Sequence, residues 1–196
     1  MARGKKKSRS TSTAKKALAL AKKANRKELK YLDGVIGITS DQILNTGVTW
    51  FNFPLIATGS TVNNRIGNVI HPTSLKLKYT MEKHASATAT QVRLILLQQK
   101  NDYTGSITDY LQTADINSQK SVDHRYDSKT LLDKSFILDA ERPKRFINMS
   151  IKVPLSMYYD ASSSIPDKNR LVLYLISDEG TNYPTIVGNQ RLYFTE

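Results

Sequence analysis

The sequence predicts an all-β, antiparallel sandwich or barrel carried behind a basic arm that contains one helix. Three observations predict it. From about residue 35 onward, apolar residues recur at period two or in short unbroken runs. Turn-rich stretches separate those runs, with no convincing helical pattern between them. The cationic charge is crowded into the first thirty residues.

The length of 196 residues leaves room for one domain and a tail, and a chain of that size buries a core without covalent staples. There is no cysteine, which excludes disulfides, thiolate metal sites and cysteine nucleophiles. No apolar run approaches the roughly 18 residues a membrane span needs. The apolar stretch at 17–21 is too short for a secretory signal and is followed at once by Lys22 and Lys23. A soluble, non-secreted protein without membrane insertion is therefore expected.

The net charge of +12 points to a polyanion partner. Residues 1–30 hold twelve Lys or Arg and one acid, Glu28, which gives +11. The other 17 basic residues face 16 acids, so the remaining body carries +1. A generally basic enzyme would not be partitioned in this way, and the near-neutral body also argues against ribosomal proteins, many of which combine tails with basic globular faces.

Residues 1–12 are Lys, Arg, Ser, Thr, Gly and Ala after Met1, with too little apolar surface to offset ordering entropy, and are expected to be disordered. Residues 13–33 read as a helix rich in Ala, Leu, Lys and Arg, with Ser12 or Thr13 as cap and Gly34 as stop. At about 100° per residue, Lys15, Lys16, Lys22, Lys23, Arg26, Lys27 and Lys30 fall within an arc of roughly 140°. Like charges on one face weaken an isolated helix, and phosphates would relieve them. Arg3, Lys5, Lys6, Lys7 and Arg9, together with that face, are the candidate nucleic-acid-binding residues. The alternatives are a solvated charged helix or a membrane-surface helix, and the Ala-rich opposite face disfavours the latter.

The shell-like body spans 34–196. Leu75, Leu77, Tyr79 and Met81 alternate with Lys76, Lys78, Thr80 and Glu82, which predicts a strand with one buried face. Residues 91–98 and 171–176 read as strands buried on both faces. Ile147, Met149, Ile151, Val153 and Leu155 mark another strand, and residues 188–195 a further one. Weaker strands are expected at 35–40, 47–57 and 130–138, with Pro54 demoting the second to an edge or strand end. Residues 99–129, 158–169 and 178–185 read as loops, the first with a short helix near 107–112. About seven or eight strands without intervening helices imply an antiparallel sandwich or barrel.

No phosphate-binding glycine loop, dinucleotide fingerprint or nucleophile motif is present. His71, His84 and His124 lack metal-type spacing. Asp123, His124 and Asp127 share a polar loop with the chemistry to hold a cation, but a solvated loop is favoured. Trp50, Phe51 and Phe53 have the chemistry to stack bases, but their apolar run favours core or interface packing. No catalytic residue, cofactor or metal is expected, and the protein is not expected to be an enzyme.

Particular stretches resemble a known family. Asn64-Arg65-Ile66-Gly67-Asn68-Val69-Ile70 followed by Ser74-Leu75, Val92-Arg93-Leu94-Ile95-Leu96, Lys144-Arg145-Phe146, Asn169-Arg170-Leu171 through Ser177-Asp178, and Gln190-Arg191-Leu192-Tyr193-Phe194 resemble strands of the capsid proteins of small circular Rep-encoding single-stranded DNA viruses. Coat proteins of satellite necrosis RNA viruses are similar in plan. The Lys-rich arm departs from the Arg-dominated arm of the circovirus type. The resemblance implies an eight-stranded jelly roll, sixty copies in a T=1 icosahedral shell, and a packaged single-stranded genome, DNA favoured over RNA. It also implies location in the virion, with residues 3–9 available as a nuclear import signal during assembly. The alternative is a monomeric nucleic-acid-binding β-barrel module of single-strand-binding or ribosomal type.

Overall fold

The computed structural model describes residues 15–16, 28–46, 48–50, 55–100, 107–124 and 126–196, the side chains of 37–41 and 48–50 excepted. Ten strands and one short helix follow in chain order: β1 (Lys30–Gln42), β2 (Val48–Trp50), β3 (Val69–Glu82), β4 (Thr90–Gln99), α1 (Ile107–Tyr110), β5 (Ser128–Leu138), β6 (Lys144–Lys152), β7 (Met157–Tyr159), β8 (Pro166–Lys168), β9 (Arg170–Ser177) and β10 (Thr185–Thr195). The chain is all-β.

Two four-stranded antiparallel sheets form the body. One runs β1-β10-β3-β6, with β7 and β8 continuing beside the start of β3, and the other runs β2-β9-β4-β5. Numbering the eight main strands one to eight along the chain, the sheets read 1-8-3-6 and 2-7-4-5. Chain neighbours therefore alternate between sheets except at the β4–β5 connection, which is the jelly-roll order.

Side-chain pattern explains the layers. In β3, Leu75, Leu77, Tyr79 and Met81 are buried while Lys76, Lys78 and Glu82 are exposed. They meet Ile147 and Ile151 of β6 and Ile186, Leu192 and Phe194 of β10, and all pack against Val92, Leu94, Leu96, Leu171, Leu173 and Leu175 of the other sheet. The inward phase of β3 changes near Thr73, where the pairing steps from Phe194–Pro72 to Tyr193–Ser74. One extra residue in β3 restores the alternation, a bulge in the physical sense, and the Thr73 hydroxyl donates to the Tyr193 carbonyl at 3.2 Å.

β9 is buried at every position and β4 at most, because both faces are covered. The outer face, Ile95, Leu97, Val172, Tyr174 and Ile176, lies under Ile107, Tyr110, Leu111 and Ile116. Pro54 lies outside the described residues; the described part of that segment, β2, stands at the edge of its sheet.

Two local expectations change. The helix expected over 13–33 does not extend to its C-terminal end: residues 30–33 open β1, paired from Lys30–Phe194 to Asp33–Arg191. Local propensity favoured helix there, but a full ladder against β10 outweighs it. The loop expected at 158–169 contains parts of β7 and β8, which are too short, and in β8 too proline-marked, to show a period.

Candidate nucleic-acid interface

The predicted basic residues divide into three groups. Lys15 and Lys16 are helical and exposed. Arg3, Lys5, Lys6, Lys7, Arg9, Lys22, Lys23, Arg26 and Lys27 lie outside the described residues. Lys30 departs from the expectation. Its side chain is 3% exposed, and its ammonium donates to Glu196 Oε2 at 3.3 Å and to the Asn64 carbonyl at 3.1 Å. Its charge is spent inside the body, because strand pairing turns it inward.

The body adds a cationic surface that the sequence reading passed over. Antiparallel register lines up three rows across the outward face of the first sheet. They are Tyr31–Tyr193–Ser74–Lys152, Asp33–Arg191–Lys76–Ser150 and Val35–Asn189–Lys78–Asn148. Residues two apart on one strand share a face, so the buried Leu75 and Leu77 dictate that Lys76 and Lys78 point out together. Asp33, Lys76, Lys78, Asn189, Arg191 and Tyr193 line an open groove of about 440 Å³.

The groove is electrostatically organised. Arg191 donates from Nε and Nη2 to the two carboxylate oxygens of Asp33, at 2.5 and 2.7 Å. The same guanidinium lies 4.4 Å from the Tyr31 ring centre, and the Lys76 ammonium lies 5.1 Å from the Tyr193 ring centre. The Arg191 hydrogen bond holds the Asp33 carboxyl below its ordinary range. Arg191, and then Lys76, hold the Tyr193 phenol below its own. Lys76, Lys78, Lys152 and Arg191 thus outweigh one acid, and that acid is already engaged. Ammonium groups beside half-exposed aromatic rings suit phosphates and bases together.

Other candidates resolve into structural contacts. His71 Nδ1 lies 2.8 Å from the Ser156 hydroxyl, and His124 Nδ1 lies 3.1 Å from Asp127 Oδ2. Among the described residues, no three His, Asp or Glu are grouped to hold a metal ion. The side chain of Trp50 is not described, and Phe51 and Phe53 lie outside the described residues.

The eight-stranded jelly roll with a cationic sheet face defines the class. No family model matches the sequence, and no curated protein matches it. Among solved structures, it is similar to Desmodium yellow mottle tymovirus, with 13% identity over 86% of this chain and 89% of that one, at a TM-score of 0.38. It is similar to the empty top-component particle of cowpea mosaic virus, with 9% identity over 86% of each chain, at a TM-score of 0.36. It is also similar to dimeric latent PorU of Porphyromonas gingivalis, with 8% identity over 85% of this chain and 13% of that one, at a TM-score of 0.37. The functional reading rests on this chain's own residues.

Proposed function

We propose that the chain is a viral capsid subunit whose copies close into a small icosahedral shell around a single-stranded genome, with a structural and not an enzymatic role. The observation that carries the reading is the joining of two features. A complete jelly roll begins at Lys30, and nearly all the excess positive charge precedes it. The family resemblance of the strand sequences supplies the finer terms: T=1, sixty copies, DNA favoured over RNA, and a nuclear stage served by residues 3–9.

With Lys30 assigned to the body, residues 1–29 retain eleven basic residues and one acid, or +10. Sixty copies would then bring about 600 cationic charges, enough to displace counterions from several hundred phosphates. The proposed phosphate contacts are Arg3, Lys5, Lys6, Lys7, Arg9, Lys15, Lys16, Lys22, Lys23, Arg26 and Lys27. They neutralise backbone without reading sequence.

A second reading, a monomeric nucleic-acid-binding module, draws on one observation, the tyrosine-bearing basic groove of the body. Size separates the two. The full chain, expressed and viewed by negative stain after gel filtration, is expected as closed particles of tens of subunits. A monomer that binds oligonucleotide supports the second reading and refutes the first. Deleting residues 1–28 is expected to leave a folded body that no longer packages nucleic acid, and normal packaging by that deletion refutes the role given to the arm.

A further inference from the structure

We propose that the outward face of the β1-β10-β3-β6 sheet is a second contact for single-stranded nucleic acid, with phosphates on Lys76 and Lys78 and a base against Tyr193. The nature of the ligand rests on the packaging reading above, whereas the site rests on the sheet alone.

Charge and access select the ligand. The body as a whole is nearly neutral, so the excess on this face is local: among the described residues five cations, Lys76, Lys78, Lys144, Lys152 and Arg191, stand against two acids, Asp33 and Glu82, and Glu82 is paired with Lys144 at 3.0 Å. Asp33 is neutralised by Arg191 at 2.5 Å, and Lys78 and Lys152 have no ion-pair or hydrogen-bond partner among the described residues. The cations stand on central β3, on its neighbour β10 and on β6, so their spacing is fixed by backbone pairing and not by loops. A rigid cationic array loses little freedom when it meets a polyanion.

The aromatic content separates a nucleic acid from an acidic peptide. Tyr31 and Tyr193 face each other across the β1–β10 ladder. Arg191 rests on the first ring and Lys76 on the second, so each ring has a cation over it; Tyr193 lines the groove and Tyr31 stands beside it on the same face. A fixed ring beside an ammonium offers stacking and a phosphate contact within one nucleotide's reach. Connectivity supplies the final argument. The basic segment runs directly into Lys30, and the next residue, Tyr31, is the first on this face. A strand held by the arm is thereby led onto the groove.

The test uses the full-length chain with a short oligothymidylate and an abasic strand of equal length, titrated across a salt series. Lys76→Glu/Lys78→Glu is expected to reduce the slope of log affinity against log salt by about 1.4, the value for two single-strand phosphates. Tyr193→Leu is expected to weaken oligothymidylate about fivefold or more while leaving the abasic strand unchanged. A bromodeoxyuridine oligonucleotide photo-crosslinked to the unaltered protein is expected to mark peptides containing Tyr31 or Tyr193, so the proposal does not depend on the variants folding.

Crosslinks confined to residues 1–29, with both variants binding as the parent does, overturn the proposal and leave packaging by the arm intact. Equal weakening of oligothymidylate, abasic strand and heparin in the lysine variant, with no effect of Tyr193→Leu, also overturns it. That pattern would make the face a general polyanion surface. Glutamine at Arg3, Lys5, Lys6, Lys7 and Arg9 tests the arm separately, because no loss of affinity there counts against the arm and not against the sheet.

Discussion

Arg65 carries the sharpest stability prediction. Its side chain is fully buried, 0% exposed, and its guanidinium centre lies 4.5 Å from the Tyr159 ring centre. Nη1 donates to the Gly67 carbonyl at 2.6 Å and to Asn68 Oδ1 at 3.2 Å. Nη2 donates to the carbonyls of Asp160 at 2.8 Å and Ser163 at 2.6 Å. One planar cation thus ties the segment before β3 to the connection between β7 and β8. Arg65→Met keeps the stem volume and removes all four donors. The four bonds are only part-buried, so each lost bond costs about 1 kcal/mol, and release of the guanidinium from its own desolvation offsets part of that. A net loss of about 3–5 kcal/mol follows from the four bonds together with the lost contact to the Tyr159 ring. With a urea slope of about 2 kcal/mol/M, the unfolding midpoint of the unassembled subunit falls by roughly 2 M at constant slope. Hydrogen exchange is expected to quicken first at 55–68 and 157–166, with β4 and β9 spared. Arg65→Lys is expected to recover only part of the loss, because an ammonium cannot span the fork. A loss below about 1 kcal/mol, or uniform exchange across the body, would refute the account of Arg65 as a tie between loops.

Further outcomes follow from the same geometry. Lys30→Met is expected to lower the subunit's melting temperature, with a cost of about 2 kcal/mol, because the partly buried Glu196 carboxylate loses its cation; oligonucleotide affinity at fixed salt is expected to stay within a factor of two. Gly188→Ala is expected to destabilise by about 2 kcal/mol or more in urea titration, since an added Cβ would strike the Lys78 carbonyl and Tyr79 on the paired strand. Asp33 has a folded pKa below its unfolded one, so its contribution is present above about pH 4 and is lost as pH falls through the folded value. Asp33→Asn is expected to flatten the acid limb of the stability curve below that pH and to change nothing at neutral pH beyond a surface ion pair's small share.

Strands were legible where burial leaves a period. β3 and β6 bury one face, so Leu75 to Met81 and Ile147 to Ile151 alternate visibly, and β4 and β9 bury two, so Leu94–Leu97 and 171–176 are continuous. The start of β1 was not legible, because Lys30, Tyr31 and Leu32 take their conformation from β10, more than 150 residues away. The charge partition needed no structure: residues 1–30 carry +11 of the net +12. The sheet face stayed hidden because its members come from β1, β3, β6 and β10, and only register places Arg191 beside Lys76. One local signal pointed to it: Lys76 and Lys78, and likewise Arg191 and Tyr193, occupy the alternate positions left free by buried neighbours.

The position of β10 imposes an order on synthesis. It lies between β1 and β3, making ladders with both, yet it is translated after every other strand. Until it emerges, β1 has no partner in its sheet and β3 lacks one edge, so the nascent body exposes unpaired strands that invite pairing with other chains. The basic segment is made before β1, and the sheet that β1 belongs to is closed by the last of the described strands. A chain interrupted before residue 185 therefore joins the crowded basic charge of residues 1–30 to unpaired strands, and under the packaging proposal premature truncation becomes a route to co-aggregation with nucleic acid.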